Sequence, residues 1–172
     1  MPENRPIGRA RKDAREGKSP STQAGEFVRE EIEHVREGKH GARSVRQAIA
    51  IALSKARRAG VKLPPPKKGK TSARTRAQAL RDYRKGRVAR RGKVRKVSRR
   101  RSRAVLRALR RESRGTASRR ALARQARRSA RARGRTARHR SALKAVRTKG
   151  TAGLRAAARK AARTRKAHRK SA

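Results

Sequence analysis

SPSTQAGEFVREEIEHVREGKHGARSVRQAIAIALSKARRAG, residues 19–60, is the one segment of this chain with enough β-branched and aromatic residues for a packed seam, and it is punctuated for two helices. Ser19 is placed to cap the first, with Pro20 at the first helical position, where its fixed φ is an advantage. Ala24, Phe27, Val28, Ile32 and Val35 then recur at helical spacing, and Gly38 follows Glu37 as a helix stop. The second helix opens with Ser44-Val45-Arg46-Gln47, a capping-box pattern. It continues through Ala48, Ile49, Ile51, Ala52, Leu53 and Ala56 and ends at Arg57-Arg58-Ala59-Gly60, where the cations suit the negative end of the helix dipole. The join at residues 38–43 is short enough to fold one helix back on the other. An αα-hairpin of this size is small for independent stability.

Outward from the hairpin the composition changes. Residues 1–18 mix both charges and read as a mobile arm, partly helical from Ala10 to Glu16. Residues 61–70 form a linker containing Pro64-Pro65-Pro66 and Lys67-Lys68-Gly69-Lys70. Residues 71–172 are a low-complexity Arg/Ala-rich tail. Candidate helices there start after Ser72, Ser98, Ser118, Thr136 and Thr151; the first four stop at Gly86, Gly115, Gly134 and Gly150, and the last runs to the end. Their apolar seams are thin: Leu80 and Tyr83; Val105, Leu106 and Leu109; Leu122; Leu143 and Val146; Leu154. Alanine and arginine favour helix, but arginines four residues apart repel, so these helices are expected mainly where phosphates neutralise them. Hydrophobic residues are 33% of the chain, most of them alanine, which offers little area to bury against the ordering entropy. The expected fold class is therefore all-α: a small helical hairpin head and a long, largely disordered or conditionally helical cationic tail, with no compact single domain.

The charge is divided as sharply as the composition. The first 37 residues hold eight basic and eight acidic side chains. The net charge of +48 thus falls on the remaining 135 residues, where Asp82 and Glu112 are the only acids. A polycation of that density needs a polyanion, and 48 charges match about 80 Å of duplex DNA. Within the head, Glu26, Glu30, Glu33 and Glu37 form a stripe that should draw cations from elsewhere in the chain.

Little else carries chemistry. The absence of cysteine excludes disulfides, thiolate metal sites and a cysteine nucleophile. His34, His40, His139 and His168 are scattered. His34 with Glu30, Glu33 and Glu37 reads as a solvated helix face rather than a metal site. No catalytic residue, metal, cofactor or small-molecule substrate is expected. Gly38-Lys39-His40-Gly41 has the outline of a phosphate-clamping G-x-x-G loop but lacks accompanying strands, so a cap and turn is the simpler reading. No apolar run approaches the roughly 18 residues of a membrane span, and the first residues lack the apolar stretch of a secretory signal. No membrane partner is expected.

The expected phosphate contacts are Lys67, Lys68 and Lys70 in the linker, then Arg87, Arg90, Arg91, Arg99, Arg100, Arg101, Arg103, Arg110 and Arg111. Further along they are Arg119, Arg120, Arg127, Arg128, Arg131, Arg133, Arg135, Arg138, Arg140, Arg163 and Arg165. Arginine binds phosphate bidentately and keeps its charge at any relevant pH. Tyr83 is the one aromatic residue beyond the hairpin, too few to stack on splayed bases, and no helix-turn-helix, zinc finger or leucine zipper is evident. Affinity without base readout follows, with DNA favoured over RNA.

Residues 17–44, GKSPSTQAGEFVREEIEHVREGKHGARS, and 46–66, RQAIAIALSKARRAGVKLPPP, resemble a family of short basic bacterial proteins of unknown function. Some members carry labels such as "DNA-binding" or "plasmid stabilisation". The resemblance covers about a third of the chain (residues 17–67) and implies no mechanism or functional residues. The tail is similar in character to alanine- and lysine-rich bacterial histone-H1-like proteins. The expected function is non-enzymatic, sequence-tolerant DNA binding and compaction at the nucleoid in a bacterial cytoplasm. The alternatives are an RNA- or ribosome-associated basic protein, or an adaptor whose hairpin at 19–60 binds a protein partner or a second copy while the tail localises it.

Overall fold

The computed structural model describes residues 4–88 and 98–170, and every regular element among them is helical. In chain order these are α1 (Asn4–Arg15), α2 (Pro20–Arg36), α3 (Val45–Arg58), α4 (Ala73–Val88), α5 (Arg99–Arg110), a single 3-10 turn (Gly115–Ala117) and α6 (Arg119–Lys170). The chain divides into two units, Met1–Gln125 and Ala126–Ala172.

In the first unit the serines cap the helices where the sequence puts them. Ser19 accepts the Thr22 amide at 3.4 Å and Ser44 the Gln47 amide at 3.2 Å. The Gln47 side chain reaches back to accept the Arg43 amide at 2.7 Å, one residue earlier than an ideal capping box. α2 and α3 pack on each other, and α1 and α4 pack on their outer sides. One apolar cluster joins Ala10 of α1, Ala24 and Phe27 of α2, Ala52 and Ala56 of α3, and Val61. The other joins Ile32 and Val35 of α2, Ala42, Ala48 of α3, and Ala117, with Leu122 against it.

Two expectations fail here. The arm at residues 1–18 is helical from Asn4, earlier than Ala10, and is seated: Ala10 is buried, and Ile7 packs on the Phe27 cluster. The head is also not a free hairpin, because Ala79 and Asp82 of α4, together with Ala117, are buried in the same unit. Alanine holds this unit together more than its small area implies. A buried alanine contributes little area itself, but it lets helix backbones approach closely, and close packing recovers dispersion contacts around it. Gly86 takes this furthest: a Cβ there would collide with the Arg57 carbonyl, so α4 crosses the end of α3 only as a glycine.

The expected disordered or conditionally helical tail is likewise corrected. Residues 119–170 are helical, with non-helical backbone only at Gly134 (φ 75°, ψ 171°) and Gly150 (φ 63°, ψ 177°). These left-handed positions suit glycine, and they divide the run into stretches 119–133, 135–149 and 151–170. The breaks fall at the glycines that the sequence marks. The balance of forces was misjudged: like-charge pairs four apart cost only a few tenths of a kcal/mol, against a composition dominated by two of the strongest helix formers. The side chains also turn back onto their own helix. Arg138 and Arg165 donate from Nε to the carbonyls of Gly134 and Ala161 at 3.2 and 3.3 Å. Ser141, Thr148 and Thr164 likewise donate to carbonyls four residues earlier.

Candidate nucleic-acid interface

Most of the described acids of the first unit are engaged by cations of the same unit. Arg9 of α1 lies 3.3 Å from Glu26, Arg29 3.4 Å from Glu33 and Lys39 2.7 Å from Glu37. The glutamate stripe is thus met by α1 and by its own neighbourhood; these ion pairs involve no tail arginine. Lys18 reaches both Asp13 and Glu16 at 2.7 Å, and its pKa is raised, chiefly by the Asp13 hydrogen bond. At the junction of α3 and α4, Arg58 lies 3.5 Å from buried Asp82. Arg57, buried beside it, donates from Nε to the Leu63 carbonyl at 3.2 Å. Burial lowers its pKa, with Asp82 acting against that shift.

In the G-x-x-G loop the amides of Gly38, Lys39 and Gly41 are occupied by protein. Gly38 and Lys39 donate to the carbonyls of Val35 and His34, which closes the end of α2. Gly41 donates to the Leu109 carbonyl at 2.8 Å and Ala42 to that of Ser113 at 3.2 Å. A Cβ on Gly41 would strike the Glu112 backbone. The loop is a cap and a docking point for the segment after α5, with no ring of free amides for a phosphate.

Of the residues expected to contact phosphate, Arg90 and Arg91 lie outside the described residues, and all the others are exposed. Lys67, Lys68 and Lys70 lie in the connection from α3 to α4, and Arg87 in the last turn of α4. Arg99, Arg100, Arg101, Arg103 and Arg110 are on α5, with Arg111 as its C-cap. The remaining eleven are on α6. On α5, Arg99, Arg103, Arg107 and Arg110 follow one another at helical spacing, while Val105, Leu106 and Leu109 line a cavity of about 590 Å³ shared with α2 and α3.

The second unit, Ala126–Ala172, contains 18 Lys or Arg residues and no acid. Beyond the dense arginine clusters expected from the sequence, the helices carry ordered rows of cations. Arg155, Arg159, Arg163 and Lys166 are exposed and lie at intervals of four, four and three along one helix face. Arg140, Lys144 and Arg147 repeat the pattern in the preceding stretch. The spacing was there to be read, but it acquires meaning only once the segment is a helix. At 1.5 Å per residue, the 20 residues of the stretch 151–170 span about 30 Å and carry eight Lys or Arg side chains. One cation then falls every ~4 Å, against one phosphate per 3.4 Å along a DNA strand.

The same unit of α2 and α3 holds a cluster that the sequence reading passed over. Glu31, His34 and His40 bring three donor atoms within 4.8 Å of one another, and all three residues are buried. His34 and His40 meet edge to face, with ring centroids 6.2 Å apart. Burial lowers the pKa of His34, and Lys39 and Lys55 push in the same direction. The expected grouping of His34 with Glu30, Glu33 and Glu37 on a solvated face does not describe it: His34 Nε2 is 3.8 Å from Glu30, but the ring is buried towards Glu31 and His40. The missed partner, His40, comes close only because the loop at Gly38–Gly41 doubles back.

Among the described residues no helix is long and apolar enough to cross a membrane. A family model described as a family of unknown function (DUF6496) matches residues 15–68, which take in α2, α3 and the loop between them. No curated protein and no solved structure matches the chain.

Proposed function

We propose that this chain is a non-enzymatic, sequence-tolerant DNA-binding and compacting protein of the bacterial nucleoid, comparable in action to histone-H1-like proteins. The observation that supports this reading best is the second unit, with 18 Lys or Arg residues, no acid, and rows of exposed cations along its helices. Such rows can follow a phosphate backbone through bidentate contacts and release its counterions without touching base edges. The folded unit contributes exposed arginines on α4 and α5 and spends most of its acids internally, so it does not repel the polyanion.

The test is to neutralise one row while keeping the helix. Arg155→Gln, Arg159→Gln, Arg163→Gln and Lys166→Gln together should make the slope of log K against log salt shallower by about 3–4, since each phosphate contact contributes ~0.9. The loss should be equal for unrelated duplexes of one length. Arg29→Gln, which removes a cation already paired with Glu33, should leave the slope unaltered. An unchanged slope in the fourfold variant would remove this row from the interface.

A further inference from the structure

We propose that Glu31, His34 and His40 form a binding site for a divalent transition-metal ion of the zinc type, with Glu31 Oε1 and one ring nitrogen of each histidine as ligands.

One buried oxygen at this cluster is unsatisfied. Glu31 is 1% exposed. Its Oε2 accepts a hydrogen bond from Lys55 Nζ at 2.8 Å, while Oε1 has no hydrogen-bond partner. A buried, charged acceptor left in that state is costly unless a cation completes it. The group facing it is His40, with Nε2 3.5 Å from Oε1. On the other side of the same ring, Nδ1 is 3.1 Å from the Gly41 carbonyl. A carbonyl can only accept, so Nδ1 donates there, and Nε2 is the ring atom turned to Oε1 across 3.5 Å. A ligating histidine is usually held by such a bond from its second nitrogen to a backbone carbonyl.

The dimensions suit the ion. Bonds of about 2.0–2.2 Å in a tetrahedron put donor atoms roughly 3.3–3.6 Å apart. The Glu31–His40 pair already has that separation, and small side-chain rotations close the 4.8 Å limit of the full set. Lys55 opposes a second cation, but it holds the far oxygen of the carboxylate, and its own side chain is 39% exposed. Carboxylate and imidazole donors with one open position fit zinc or cobalt better than calcium or magnesium, which prefer all-oxygen shells. All three residues line the cavity between α2, α3 and α5. An ion there would tie α2 to the loop that docks Leu109 and Ser113, and so fasten the α5 segment to the unit.

The experiment uses the full chain, stripped of metal, titrated with zinc chloride by calorimetry and with cobalt chloride by visible absorption. One zinc per chain, with a Kd of about 1 µM or tighter, and the bands of tetrahedral cobalt are expected. His34→Ala and His40→Ala should each weaken binding by at least about tenfold. His139→Ala, in the tail, should leave it unchanged. Nitrogen-15 NMR of the wild-type imidazoles supplies a readout free of any folding defect in the variants: zinc should shift His40 Nε2 and leave Nδ1 protonated. Stoichiometric binding that survives both α2–loop variants, no binding at 100 µM zinc, or a His40 Nε2 that keeps a proton in the presence of zinc would each overturn the site.

Discussion

Between 50 and 200 mM monovalent salt, the affinity of this chain for duplex DNA is expected to fall by about 10⁵-fold, a slope near −9 for ten phosphates neutralised. The reasoning is geometric as well as electrostatic. A helix can turn only part of its circumference to DNA, so roughly half of the 18 cations in Ala126–Ala172 can meet phosphate at once, and α5 adds others. Because the contacts are to the backbone, unrelated sequences of equal length should bind within a few-fold of each other. Fluorescence anisotropy across a salt series measures both. A slope shallower than about −3 would mean that few phosphates are engaged, and a hundredfold preference for one sequence would require base contacts.

Phe27→Ala is expected to destabilise the first unit by about 3–5 kcal/mol, the range for truncating a buried phenylalanine. Phe27 is the only phenylalanine of the chain and is 4% exposed. It is the largest side chain in a cluster whose other buried members are Ala10, Ala24, Ala52, Ala56 and Val61, bordered by the partly buried Ile7, Val28, Leu53 and Leu63. Against a typical total of about 5–15 kcal/mol, that is a substantial fraction of the unit's stability. Tyr83 on α4, with no tryptophan to obscure it, reports the transition by fluorescence in a urea titration. The DNA salt slope of this variant should match the wild type where the unit remains folded, since the tail cations lie outside the cluster. A loss below about 1 kcal/mol would show that α1 and α3 are not seated on Phe27.

What the sequence made legible was punctuation. Ser19, Ser44, Ser72, Ser98 and Ser118 each accept an amide three residues on, and Gly134 and Gly150 break the last helix. Caps and breaks depend on one residue's local chemistry, so a single chain suffices to read them. The packing of α1, α4 and Ala117 was hidden because its contacts are made by alanines and a glycine. In hydrophobic patterning those residues are nearly silent, although they set how closely helices approach. Helix in the tail was underestimated by giving arginine repulsion more weight than its few tenths of a kcal/mol per pair. At the site, the residue type was plain and the arrangement was not. Rows such as Arg155, Arg159, Arg163 and Lys166 need the helix to exist, and the meeting of Glu31 with His40 needs the loop to close.

The central claim is that the tail holds DNA by its backbone. Crosslinking the full chain in bacterial cells, then sequencing the recovered DNA and RNA together, tests it most directly. The account predicts DNA spread over the whole genome with no dominant motif. Recovery concentrated in ribosomal RNA, or no nucleic acid above background, would contradict it.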